Sequence, residues 1–279
     1  MDNEPIRRGR VSQPRRKRPV KIVLASSQRN LVIASLAVVI SLAAEPHAAG
    51  QNRGAPPTAV TAKATAPIDL TGYWVAFVTE DWRMRMMTPP KGDYQSLPLT
   101  PEARKVADAW DPAADERSGN ECKAYGAAAI MRVPGRLNLT WQDDNTLRVD
   151  TDAGMQTRLF HFGPPPASPG QRTWQGYSTA EWARPVPARG ATLPMGGSLK
   201  VVTTNMRPGY LRKNGVPYSE STVVTDYFDV APLPDGGRLL LVTTVVEDPR
   251  YLQLPFIVSS QFKKESDGSK WDPTPCTAR

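Results

Sequence analysis

Residues 238–264, RLLLVTTVVEDPRYLQLPFIVSSQFKK, restrict this chain more than any other stretch. Residues 239–246 form a long apolar and β-branched run, Glu247-Asp248-Pro249 is an acidic corner, and Tyr251 to Pro255 is an aromatic-bearing turn. Residues 256–262 then read as a second strand, so the segment predicts two strands joined through a corner. The rest of the chain supplies further strands to lie beside them.

Residues 70–78, LTGYWVAFV, open that pattern, and Gly72 closely followed by Trp74 resembles the opening strand of lipocalin-like barrels. Met84, Met86 and Met87 are read as core filler. One helix is predicted: Thr100 suits the N-cap and Pro101 the first turn. Ala103, Val106, Ala107 and Trp110 fall at helical spacing before Asp111-Pro112 stops it. Leu137, Leu139 and Trp141, then Leu147 and Val149, then residues 157–162 alternate around polar turns, which is a three-strand meander. Gly163-Pro164-Pro165-Pro166 ends it, because proline supplies no ladder donor. Residues 174–182 read as a short strand, 183–197 as a Pro/Gly loop and 198–204 as a strand. Residues 207–217 read as a long connection, and 221–228 as a strand reaching the turn Pro234-Asp235-Gly236-Gly237. The fold class is therefore mainly β, an antiparallel lipocalin-like barrel or sandwich with one short amphipathic helix.

The two ends set the compartment. Residues 1–50 combine a basic start, an apolar run at 31–44 and small residues at 48–50, the layout of a signal peptide. The run is shorter than the roughly 20 residues a membrane span needs. Residues 51–67, rich in Pro, Ala and Thr, read as a flexible linker, leaving 68–279 as a single β-rich domain. Residues 1–50 hold nine Lys/Arg and three Asp/Glu, +6 of the net +8, so the remaining chain is near +2 and carries no nucleic-acid signature. Cys122 and Cys276 are the two cysteines, a disulfide candidate in an oxidising compartment.

Chemistry is restricted by what is missing. Outside residues 1–50 there is one histidine, His161, so the sequence predicts no metal site, and no phosphate loop or nucleophile elbow is present. No cofactor is expected. Carboxylates remain: Glu220, Asp226, Glu247 and Asp248 are the weak catalytic candidates for acid and base work on a sugar. Asp248 before Pro249 is equally a turn-initiating residue whose side chain bonds nearby amides, and that reading outweighs catalysis. Trp74, Trp82, Trp174, Tyr177, Trp182, Tyr218 and Tyr251 are the ligand-binding candidates, since their rings suit a small apolar or sugar-like ligand. Core packing would use the same residues.

Several blocks resemble a large family of uncharacterised secreted bacterial β-rich proteins. They are Cys122 followed by Gly126, Gly176-Tyr177-Ser178 ahead of Trp182, Leu199-Lys200-Val201-Val202-x-Thr204, Tyr218-Ser219-Glu220, and Thr244-Val245-Val246-Glu247-Asp248-Pro249 with Pro255. The chain departs from that pattern where Ala127 and Ala128 replace Pro-Arg, where 183–197 is inserted, and where Phe256 replaces Trp. The resemblance implies a secreted β-rich domain and brings no catalytic residue. The expected function is a periplasmic or secreted barrel that binds a small, partly apolar ligand without transforming it. The alternatives are a carboxylate-dependent hydrolase of sugars or related polymers, and a structural or envelope-assembly protein.

Overall fold

Nine strands close into a barrel in the computed structural model, which describes residues 60–168, 170–184 and 196–279. In chain order they are β1 (Gly72–Ala76), β2 (Arg136–Asp143), β3 (Thr146–Thr151), β4 (Thr157–Phe162), β5 (Tyr177–Ala183) and β6 (Ser198–Thr204). A separate hairpin, β7 (Gly209–Arg212) with β8 (Val216–Tyr218), precedes β9 (Val223–Pro232), β10 (Arg238–Glu247) and β11 (Phe256–Lys264). Around the ring the order is β1, β11, β10, β9, β6, β5, β4, β3, β2. The stretch at 238–264 supplies two adjacent staves, paired from Leu239↔Lys263 to Val246↔Phe256. The expected signal peptide at 1–50 and most of the loop at 183–197 lie outside the described residues.

The sequence predicts antiparallel pairing throughout, and one seam departs from it: β4 and β5 run parallel. A closed ring with an odd number of strands cannot alternate direction all the way round, so parity forces such a seam. It falls between Phe162, the end of β4, and Tyr177, the start of β5, which lie at opposite ends of the barrel, so the pair needs the long connection that parallel strands require. Closure leaves the barrel without an exposed edge.

Strand directions put the short turns, at 144–145 and 233–237, at one end. The long connections at 77–135, 205–222 and 248–255 all gather at the other end and build a cap over it. Within the cap, α2 (Pro101–Asp108) is the expected helix. The Thr100 hydroxyl accepts from the Ala103 amide at 3.2 Å, and Ala103 and Ala107 are buried. The sequence predicts one helix, but α1 (Trp82–Met86) and α3 (Pro112–Arg117) join it. In α3 the Asp111 carboxylate accepts from the Ala113 amide and Pro112 takes the first position. The Asp-Pro pair that reads as a stop for α2 is equally an N-cap for the next helix. Residues 207–217 form the β7–β8 hairpin instead of an open connection. Its Gly215 has φ +81° and lies against Trp110, where any Cβ would collide.

Two apolar cores result. Trp74, Leu139, Val149, Phe160, Leu199, Phe228, Val242 and Phe262 fill the barrel, while Leu99, Ala103, Leu211, Val216, Tyr218, Val246 and Phe256 form the cap core. Between them lies a buried polar layer made by Arg158, Ser178, Thr203, Asp226 and Thr244. The lead-in expected to be a flexible linker is docked where it is described. The Lys63 amide donates to the Asp144 carbonyl at 3.0 Å, and Trp182 Nε1 donates to the Ala62 carbonyl at 2.9 Å. No described helix is long and apolar enough to cross a membrane.

A candidate ligand cavity at the capped end of the barrel

A cavity of about 440 Å³ opens in the cap, within the range of small-molecule sites. Five segments distant in sequence wall it. These are residues 84–88 with the end of α1, the two 3-10 turns Glu121–Tyr125 and Ile130–Arg132 with residues 133–134, Ala153 in the β3–β4 turn, the end of β7, and the C-terminal tail. A disulfide between Cys122 and Cys276 holds that tail, and the Thr274 amide donates to the Asp152 carbonyl at 2.9 Å. Thr274, Pro275 and Thr277 thereby become one wall.

Met84, Met86 and Met87 line the apolar side. They are not the core filler the sequence predicts, since Met86 is 60% and Met87 64% exposed. A five-residue helix has too few turns to bury every side, and its thioethers are left facing the cavity.

The lining is also basic. Arg85, Arg132 and Arg212 all border the cavity, and their side chains are 1%, 7% and 2% exposed. Arg85 Nε donates to the Arg132 carbonyl at 3.0 Å, and its Nη1 pairs with Glu80. Arg132 pairs with Asp81, and Arg212 Nη1 donates to the Gln95 carbonyl at 2.8 Å with Asp81 3.7 Å from its other terminal nitrogen. Asp81 reaches both guanidiniums from a left-handed backbone, φ +50°, a conformation that aspartate tolerates better than most residues. Burial, with the neighbouring Arg212 charge, pulls Arg132 down to about 10 despite Asp81. Burial likewise lowers Arg85 and Arg212 against the pull of Glu80 and Asp81. Arg85 Nη2 and Arg212 Nε find no acceptor among the described residues.

Tyr125 and Lys213 complete the rim. Lys213 Nζ donates to the Tyr125 hydroxyl at 2.6 Å and sits 4.6 Å from its ring centre. Burial raises the phenol, but the Lys213 and Thr277 contacts outweigh it and bring its pKa below the usual value.

The aromatic residues singled out in the sequence do not line this cavity. Trp74 and Tyr218 are wholly buried: Trp74 Nε1 donates to the Leu70 carbonyl at 2.9 Å, and Tyr218 packs in the cap core. Tyr251 is buried beneath Arg250, and Trp82 is 62% exposed on α1. Trp174 stacks under Arg207, Tyr177 stacks on His161, and Trp182 packs with Trp141 and Phe162. Trp74 fills the barrel, whose interior is packed with side chains, and Tyr218 and Tyr251 fill the cap core.

The four carboxylates do not converge either. Asp226 is sealed in the barrel against Arg158, while Asp248 is buried at the β10–β11 corner. Asp248 accepts from the amides of Ser219, Arg250 and Tyr251 and from the hydroxyls of Ser219 and Thr222. Glu220 and Glu247 are exposed. None of the four borders the cavity. The residues that do were missed in sequence, although Arg83-Met84-Arg85-Met86-Met87 alternates cations with thioethers outside any strand pattern, and that alternation was the available signal. Comparisons with protein-family models, with curated proteins and with solved structures return no match.

Proposed function

We propose that this is an exported β-barrel protein that binds a small, partly apolar ligand in the cap cavity and not in the barrel lumen. The observation that carries this reading is the 440 Å³ cavity itself, lined by methionines and by buried cations. A protein that needed only a stable cap would bury those thioethers. A filled barrel alone would suit a structural role, and the open cavity tips the balance toward binding. Export is supported by the basic-then-apolar pattern of residues 1–50 and by the disulfide, a bond that persists in oxidising compartments.

Native mass spectrometry of the protein purified from its own envelope fraction tests the reading. The expected spectrum carries a small-molecule adduct that dissociates on unfolding. A bare polypeptide mass, in a sample with native circular dichroism, would overturn it.

A further inference from the structure

The distribution of charge around the cavity is one-sided. Four cationic residues, Arg85, Arg132, Arg212 and Lys213, border it, and no Asp or Glu does. The balancing carboxylates Glu80 and Asp81 line a second hollow of about 340 Å³, which also borders the three arginines. The guanidiniums thus form a partition with anions on one side and none on the other. The three guanidiniums exceed the two carboxylates by one charge, and Lys213, without a carboxylate partner among the described residues, brings the surplus beside the cavity to two. A buried charge left partly unpaired is costly. A negative charge in the cavity lowers that cost.

From this we infer that the cavity binds an organic anion, a carboxylate on an apolar chain, with the head group on the arginine partition and the chain along Met84, Met86 and Met87. The planar fork of arginine matches the two oxygens of a carboxylate. The methionine side chains, flexible and polarisable, adapt to an unbranched chain without a fixed shape. The inference rests on the binding reading above and specifies its ligand.

Isothermal titration of the full-length protein, freed of any adduct, with sodium decanoate, 1-decanol and decyl phosphate tests it. Decanoate is expected to bind at least about tenfold more tightly than decanol, since a hydrogen bond to a charged group contributes roughly 1.5–3 kcal/mol. Added salt should weaken decanoate and leave decanol unchanged. Arg212→Lys should lower the decanoate affinity alone. If that variant loses its native circular dichroism, Lys213→Met, at the rim, takes its place with the same expectation. Equal affinity for decanoate and decanol would overturn the head-group assignment while leaving the binding reading intact, and tighter binding of decyl phosphate would overturn the choice of a carboxylate head. No binding of decanoate, in protein that carries a native adduct, would sink the inference alone. No binding and no adduct would sink both.

Discussion

Arg158 Nη2 donates to Asp226 Oδ2 at 2.8 Å inside the barrel, and neither side chain has any exposed surface. Thr244 donates to the other oxygen of Asp226, and Arg158 Nη2 also reaches the Thr203 hydroxyl at 3.1 Å. The guanidinium carbon lies 4.9 Å from the centre of the Phe160 ring, so part of the cation faces a π surface instead of water. This pair forms the polar layer between the barrel core and the cap core. It fixes which face of β4 and β9 points inward at that level.

Removing one member strands the other in a dry interior. Arg158→Met and Asp226→Asn are each expected to lower stability by roughly 3–5 kcal/mol in urea unfolding. The double change to Arg158→Met with Asp226→Leu should recover much of that loss, because the two sites couple directly. Additive losses would show that the pair does not act as a unit.

Asp248 gives a pH dependence with a defined sign. Burial alone would raise its pKa, but the Thr222 hydroxyl and the amides of Ser219, Tyr251 and Arg250 outweigh burial and hold it below the usual value of 3.8. A carboxyl depressed in the folded state contributes stability that is complete above the unfolded pKa and disappears as pH falls through the folded one. Acid unfolding of the wild type should therefore steepen below about pH 3.8. Asp248→Asn should lose about 1–3 kcal/mol near neutrality and flatten that limb, whereas Glu247→Gln, at an exposed position, should change neither. An unchanged acid limb in the Asp248 variant would contradict the corner assignment.

The strands were legible because alternation reports a sheet with one buried face, which left barrel and sandwich both open: Leu240, Val242, Thr244 and Val246 all face inward from the stretch at 238–264. The cap was harder to read. Its α3 hides behind an Asp-Pro signal that both ends and begins helices, and the 207–217 segment needs Trp110 packed on Gly215 to become a hairpin. The parallel seam follows from a strand count, which no single segment carries. The cavity was the least legible, because Met86, Arg132, Arg212 and Thr274 converge from four segments only after folding. Aromatic residues drew attention as ligand candidates, yet Trp74 and Tyr218 are large enough to be the best filler and were used that way.

The disulfide ties folding to the cavity. Cys276 holds the tail whose Thr274, Pro275 and Thr277 wall the site, and its partner Cys122 lies in the same 3-10 turn as Tyr125, whose hydroxyl meets the Thr277 hydroxyl at 3.2 Å. Replacing both cysteines by serine is expected to cost about 2–5 kcal/mol, read as a lower urea midpoint. Ligand retention in the native mass spectrum should fall along with it, even at temperatures where the barrel remains folded. Full retention in the folded double variant would show that the tail closes the cavity without help from the bond.

Tyr125 offers the most local test, because its environment opposes that of other tyrosines in the same cap. Burial and the Asp108 carboxylate push Tyr94 up to about 12, and burial with Asp115 raises Tyr210. Tyr125 alone in this group goes down, since Lys213 donates to its oxygen at 2.6 Å and outweighs its burial. An ultraviolet titration of the folded protein should therefore show a phenol ionising before the usual range, and Tyr125→Phe should remove it. Lys213→Met should move that ionisation upward, because only the Thr277 contacts then oppose burial. Between the folded pKa and the unfolded value of about 10 the unfolded chain binds more protons, so the Tyr125 contribution to stability grows with pH across that window. Below the folded pKa both states hold the proton and the contribution vanishes. A low-pH phenolate that survives in Tyr125→Phe would assign the early ionisation to another residue and remove the electrostatic account of the cavity rim.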